Sequence, residues 1–132
     1  MTGQIILHID QATPLLNEWQ RMHWSKRRLL CKQWAWLIGI AYHKTGAKLS
    51  APLDRCEIHV RRGSPGLPDW DGIYGGLKPA LDCLVAKTKR NPHGLGIILD
   101  DNPRCVLKLT AEPVPGIEKP GFTKIIITPM EL

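Results

Sequence analysis

The period at which hydrophobic residues return along this chain changes several times, and each change marks an element. Gln4 to Ile9 (QIILHI) reads as a strand, Arg55 to Arg62 (RCEIHVRR) alternates as a second, and Arg104 to Glu112 (RCVLKLTAE) and Phe122 to Thr128 (FTKIIIT) read as two more. Between about Lys26 and Lys44 the repeat becomes helical: Leu29, Leu30, Trp34, Leu37, Ile38 and Ala41 fall on one stripe, with Ser25 placed to cap the helix start. The preceding Ala12 to Gln20 (ATPLLNEWQ) has the composition of a turn, and Arg62 to Pro68 (RGSPGLP) that of a loop. A second helix is predicted within Asp71 to Arg90, with Ile73, Leu77, Ala80, Leu81 and Leu84 on its apolar side. Pro79 limits that helix, since it cannot donate to the carbonyl of Gly75. Either Gly75-Gly76 takes up a kink, or the regular helix starts near Lys78 with Pro79 in its first turn. The pattern predicts an α+β fold, with a mixed or antiparallel sheet of about four or five strands packed with two main helices.

Composition narrows the picture. A chain of 132 residues, 43% hydrophobic, suits one domain spanning 1–132 with a real core. No apolar run approaches the roughly 20 residues of a membrane helix, and MTGQIILHID lacks the pattern of a leader, so a cytoplasmic protein is expected. Cys31, Cys56, Cys83 and Cys105 are widely spaced without a C-x-x-C pair, and are expected to be reduced and mostly buried.

Charge is unevenly placed. From Arg21 to Arg62 there are ten Lys or Arg residues against Asp54 and Glu57, so this segment alone outweighs the whole chain's +6. Lys26, Arg27 and Arg28 fall in the first helical turn, where the helix dipole disfavours cations and an incoming phosphate would favour them. Just upstream, Trp19 and Trp24 interleave with Arg21 and His23, a mixture suited to stacking on bases while gripping a backbone. Arg61 and Arg62 complete the basic set. The same residues also admit a plainer reading, with buried tryptophans and a merely solubilising charge.

The acids gather elsewhere: Asp69, Asp71, Asp82, Asp100 and Asp101 are five of the chain's twelve acidic residues. Asp100 and Asp101 end an apolar run just before Asn102-Pro103, and adjacent carboxylates repel unless a cation relieves them. Asp69, Asp71 and Asp100/Asp101 are oxygen donors of the kind magnesium prefers, and Lys78 is placed to hold a phosphate or stabilise developing charge. Asp82, four residues after Lys78, is also explained by a surface ion pair.

Taken in order, D-x-D (Asp69, Asp71), the lysine of LKPALD (Lys78, Asp82) and DD (Asp100, Asp101) before a strand resemble the RusA family of Holliday junction resolvases, particularly its phage and prophage members. LNEWQRMHWSKRR is similar to that family's N-terminal region, and the resemblance runs from about Leu16 to Leu109. It implies a RusA-like mixed sheet and a homodimeric, magnesium-dependent endonuclease that nicks four-way DNA junctions symmetrically without a nucleotide cofactor. It also implies catalytic roles for Asp69, Asp71, Lys78 and Asp101, with Asp69, Asp71 and Asp100 or Asp101 as metal ligands. Gly72 stands where the family often has asparagine, and Lys78 follows Asp71 by seven residues, more than in some relatives.

Overall fold

The computed structural model describes residues 3–130; Met1 and Thr2, which begin the segment expected to lack a leader pattern, lie outside them, as do Glu131 and Leu132. Eight elements follow one another: β1 (Ile5–Ile9), α1 (Leu16–Arg21), α2 (Trp24–Thr45), β2 (Cys56–Gly63), α3 (Trp70–Gly75), α4 (Lys78–Leu84), β3 (Val106–Val114) and β4 (Phe122–Pro129). The fold is α+β. Its four strands form one mixed sheet in the order β1-β4-β2-β3, with β4 antiparallel to both neighbours and β2 parallel to β3. Because β3 and β4 flank β2 on opposite sides, the turn-rich segment between them crosses the end of β2, where Gly63 is paired with both Val114 and Phe122.

Alternation along the strands separates two faces. Ile5, Leu7, Ile58, Val60, Ile125 and Ile127 point into the core, where they meet Trp34, Ile38 and Ala41 of α2 and the apolar side of α4. The other face carries Ile6 and Ile126 and is otherwise largely polar. There Glu112 of β3 contacts His59 Nε2 and Arg61 Nε of β2, each at 3.3 Å, and His59 Nδ1 meets the Thr110 hydroxyl.

Four sequence expectations are revised. The cap of α2 is His23, not Ser25: its extended backbone turns the ring so that Nδ1 accepts the Ser25 N–H at 3.2 Å, which draws Ser25 into the first turn. Leu29 leaves the buried stripe at 67% exposed, because it precedes Trp34 by five residues and so lies about 140° round the helix from it. Within the segment read as a turn, Leu16–Arg21 forms α1, with the Glu18 carboxylate accepting the Leu15 N–H at 3.0 Å. Of the two alternatives for the second helix, the one starting at Lys78 with Pro79 in its first turn forms as α4, and the residues before it form a further short helix, α3, so the described residues hold four helices where two main ones were expected.

The break between α3 and α4 has two causes. Pro79 sits in the first turn of α4, where its missing N–H costs nothing. Gly75 and Gly76 let the chain Pro14–Leu16 pass close by: a Cβ on Gly76 would lie 1.7 Å from the Pro14 carbonyl oxygen, and one on Gly75 would lie 2.6 Å from the Leu16 side chain. The glycine pair therefore docks α1 on α3. Ile73, Leu77, Ala80 and Leu84 are buried as the pattern requires, and Leu81 is half-buried. Among the described residues, no helix is long and apolar enough to cross a membrane.

Candidate functional site

Asp69 caps α3. Its backbone is extended and its Oδ1 accepts the Gly72 N–H at 2.7 Å. The glycine at 72 makes this approach possible, since a Cβ there would stand 2.6 Å from that same oxygen. Asp71 follows in the first turn, exposed, and both aspartates line a groove with Leu15, Asn17 and Gln20 of the α1 region. Tyr74 holds α3 against the sheet, its hydroxyl accepting the Ala111 N–H at 3.0 Å. Trp70, between the two aspartates, is exposed and tilts against Tyr74 at 6.2 Å.

Lys78 opens α4, and its Nζ lies 3.5 Å from Asp82 Oδ2, so the expected i, i+4 pair forms. The buried residues Ile97 and Ile98 deliver Asp100 and Asp101 to the surface. Asp100 Oδ1 accepts the Asp101 N–H at 2.7 Å and Oδ2 accepts from the Asn102 amide at 3.1 Å, while Asn102 Oδ1 accepts the Arg104 N–H at 2.9 Å. Partial burial raises the Asp101 carboxyl above its ordinary range, and the hydrogen bond and charge of Asp100 and the charge of Asp82 raise it further. Asp82, Asp100 and Asp101 thus share one electrostatic neighbourhood, with Lys78 joined to it through Asp82.

Asp69 and Asp71 line their groove beside α1, whereas Asp82 lines a different cavity. Among the described residues, no three His, Cys, Asp or Glu side chains are arranged to hold a metal ion. The donors nevertheless suit magnesium in kind, for two reasons. Carboxylates are hard oxygen ligands, and this ion is commonly held by one or two of them together with water and substrate phosphates. Burial is the first cause of the rise at Asp101, and the Asp100 and Asp82 charges that add to it are of the sort a cation relieves.

The basic residues divide into exposed and committed ones. Arg21, His23, Lys26 and Arg28 are exposed, as is Trp24 at 61%, with the Arg28 guanidinium 5.6 Å from its ring centroid. Trp24 is therefore no core residue. Arg27 is half-buried and ties α2 to α1, donating from Nε to the Trp19 carbonyl at 3.0 Å and from Nη2 to that of Gln20 at 2.8 Å. Arg61 is engaged with Glu112. Arg62 leaves the DNA-binding set: it is 6% exposed and donates to the Thr13 carbonyl at 2.8 Å and the Ser64 hydroxyl at 2.9 Å, latching the end of β2 to the chain before α1. The sequence hides this because Arg61 and Arg62 look alike until strand alternation sends Arg62 inward with Val60.

Sequence reasoning also passed over Arg90, Asn91 and His93. They close a cavity of about 360 Å³ together with Trp19, Arg27, Arg28 and Asp82. The run of basic residues in KTKRNPH was the available signal. Cys31, Cys56, Cys83 and Cys105 are free thiols, and all but the half-buried Cys31 are buried. Burial and then the neighbouring Cys31 and Asp82 push Cys83 up to about 12, and burial and Cys105 push Cys56 up to about 11, which leaves both unreactive.

Compared with protein-family models, with curated proteins and with solved structures, the chain finds no match in any of the three.

Proposed function

We propose that this protein is a magnesium-dependent, structure-selective DNA endonuclease of the RusA type, acting on four-way junctions or other branched DNA. One juxtaposition carries the reading: Asp82, paired with Lys78 at 3.5 Å, lines the same cavity as Arg27, Arg28 and Arg90. A phosphodiester backbone needs cations to hold it, and its hydrolysis needs carboxylates beside them. α1 borders both acidic groups, since its Trp19 lines the Asp82 cavity and its Gln20 the Asp69/Asp71 groove.

In this reading Asp69, Asp71 and Asp100 or Asp101 are the residues that would hold magnesium, after moving closer than they stand here, and the ion would supply an activated water and neutralise charge at the leaving oxygen. Lys78 contacts the scissile phosphate and stabilises the charge that develops on it, which requires it to exchange Asp82 for the substrate. Trp24 and Arg28 present a stacking surface and a cation at the start of α2, and Lys26 and Arg21 extend the track along the backbone.

A second reading, a nucleic-acid-binding protein without catalysis, is favoured by the internally satisfied Lys78–Asp82 pair and by the lack of a three-ligand group among the described residues. Asp71→Asn separates the two. It keeps size and removes one negative charge, so the endonuclease reading expects cutting of branched DNA to fall strongly while affinity for the same DNA holds or rises. Cutting at the wild-type rate would remove Asp71 from the metal site.

A further inference from the structure

The cavity between the start of α2 and the segment after α4 has a lining that a phosphate alone does not explain. It holds about 360 Å³, within the range of roughly 300–1,000 Å³ usual for small-molecule sites and far more than one phosphate occupies. The guanidinium groups of Arg28 and Arg90 border it, with that of Arg27 held by backbone carbonyls beside them, and these three cations outweigh the one carboxylate of Asp82, so an anion is called for. Trp19 and Pro92 add flat apolar surface, and His93 a half-buried ring. A bare anion would leave that surface unmatched, whereas a planar base would cover it.

The remaining polar groups point the same way. Asp82 repels a phosphate but accepts hydrogen bonds from an amino group. Asn91 spends its Nδ2 on the Asp82 carbonyl at 2.8 Å and the Ala86 carbonyl at 3.4 Å, which leaves its Oδ1 to accept. The cavity thus combines guanidinium donors for a phosphate, stacking surface for a ring and acceptors for an exocyclic amine. Arg27 is already fixed, its guanidinium 5.5 Å from the Trp19 ring centroid and bonded to two carbonyls, so little ordering remains to be done on binding.

We infer that this cavity takes one unstacked nucleotide of a DNA strand, its phosphate against Arg28 and Arg90 and its base against Trp19 and His93. This rests on the endonuclease reading for the source of the nucleotide, but not for the chemistry of the cavity. Since Asp82 belongs to both, the bound nucleotide lies next to the acidic group, and the cavity would hold the strand beside the phosphate to be cut. Adenine, cytosine and guanine, which carry an exocyclic amine, suit the acceptors better than thymine.

The test is a titration of the full chain, free of metal, with dAMP, with inorganic phosphate and with the tetranucleotide d(A)4, followed by tryptophan fluorescence. dAMP should bind at least tenfold more tightly than inorganic phosphate. The exposed residue Arg90, changed as Arg90→Ala, should weaken dAMP at least fivefold with the circular dichroism spectrum unchanged. d(A)4 should compete with dAMP for the Arg90-dependent site. Equal affinities for dAMP and phosphate, or an Arg90→Ala variant that binds dAMP as wild type does, would overturn the nucleotide site. Exclusion of d(A)4 would overturn its assignment to a DNA strand. Failure of the endonuclease reading looks different: a chain that binds dAMP and d(A)4 through Arg90 yet cuts no branched DNA with magnesium keeps the site and loses the nuclease.

Discussion

Side chains of one type do different work here according to what surrounds them, and the adjacent pair Arg61 and Arg62 shows it at close range. Arg62 is buried with two hydrogen bonds to Thr13 and Ser64, and burial lowers its pKa, an effect the charge of Glu18 partly offsets. Arg28 stands exposed over Trp24. The two should therefore fail differently. Arg28→Ala should weaken binding to linear and branched DNA alike and reduce the salt slope by about one, with stability unchanged. Arg62→Ala should leave buried acceptors unpaired and cost about 1–3 kcal/mol in urea unfolding. An unaltered salt slope in the first, or unaltered stability in the second, would reverse these assignments. The crowding of Asp100 and Asp101 was legible because adjacent carboxylates repel, whereas the hydrogen bonds from Asp101 and Asn102 that Asp100 accepts in the turn were not. Nor was the use of Asp69 as a cap, since it depends on the missing side chain at Gly72, and the sequence shows that glycine without showing the oxygen it admits.

Among the elements, β1, β2, β4 and the long helix were legible because burial and period agree in them: Trp34, Ile38 and Ala41 are buried as their spacing requires, whereas burial along β3 does not alternate. The division into α3 and α4 was half legible, since Pro79 and the glycine pair announced a disturbance but not the passage of Pro14–Leu16 that uses it. Order in the sheet was not legible, because β2 meets β3 and β4 through pairings that no local pattern encodes. One such pairing gives a measurable consequence. The His59 hydrogen bond, and with it the nearby Arg61, hold the exposed Glu112 carboxyl below its ordinary value of 4.5. Lys124 of β4 is paired with Arg61 in register and adds a further positive charge on this face. A lowered folded-state pKa stabilises the fold above the unfolded value and is lost as pH falls through the folded one. Thermal unfolding of Glu112→Gln should thus occur at a lower temperature than wild type at pH 7 and converge with it as the pH drops below 4.5. A constant difference across that window would mean that the pair contributes no charge-dependent stability.

In the whole molecule a basic surface and two separate acidic groups share a chain of 132 residues. Two opposed strands of a four-way junction are most simply cut by a two-fold dimer with one site per subunit, so if the proposed function holds the protein should sediment as a dimer at assay concentrations. A strict monomer that still made paired symmetric nicks would defeat that argument. The most direct measurement of the central claim is incubation of the purified chain with labelled four-way junctions and matched linear duplexes, with magnesium and with chelator. The account predicts symmetric nicks in the junction, little cutting of the duplex, and none of either with chelator. No magnesium-dependent cutting of any branched DNA across a range of pH and salt would contradict it.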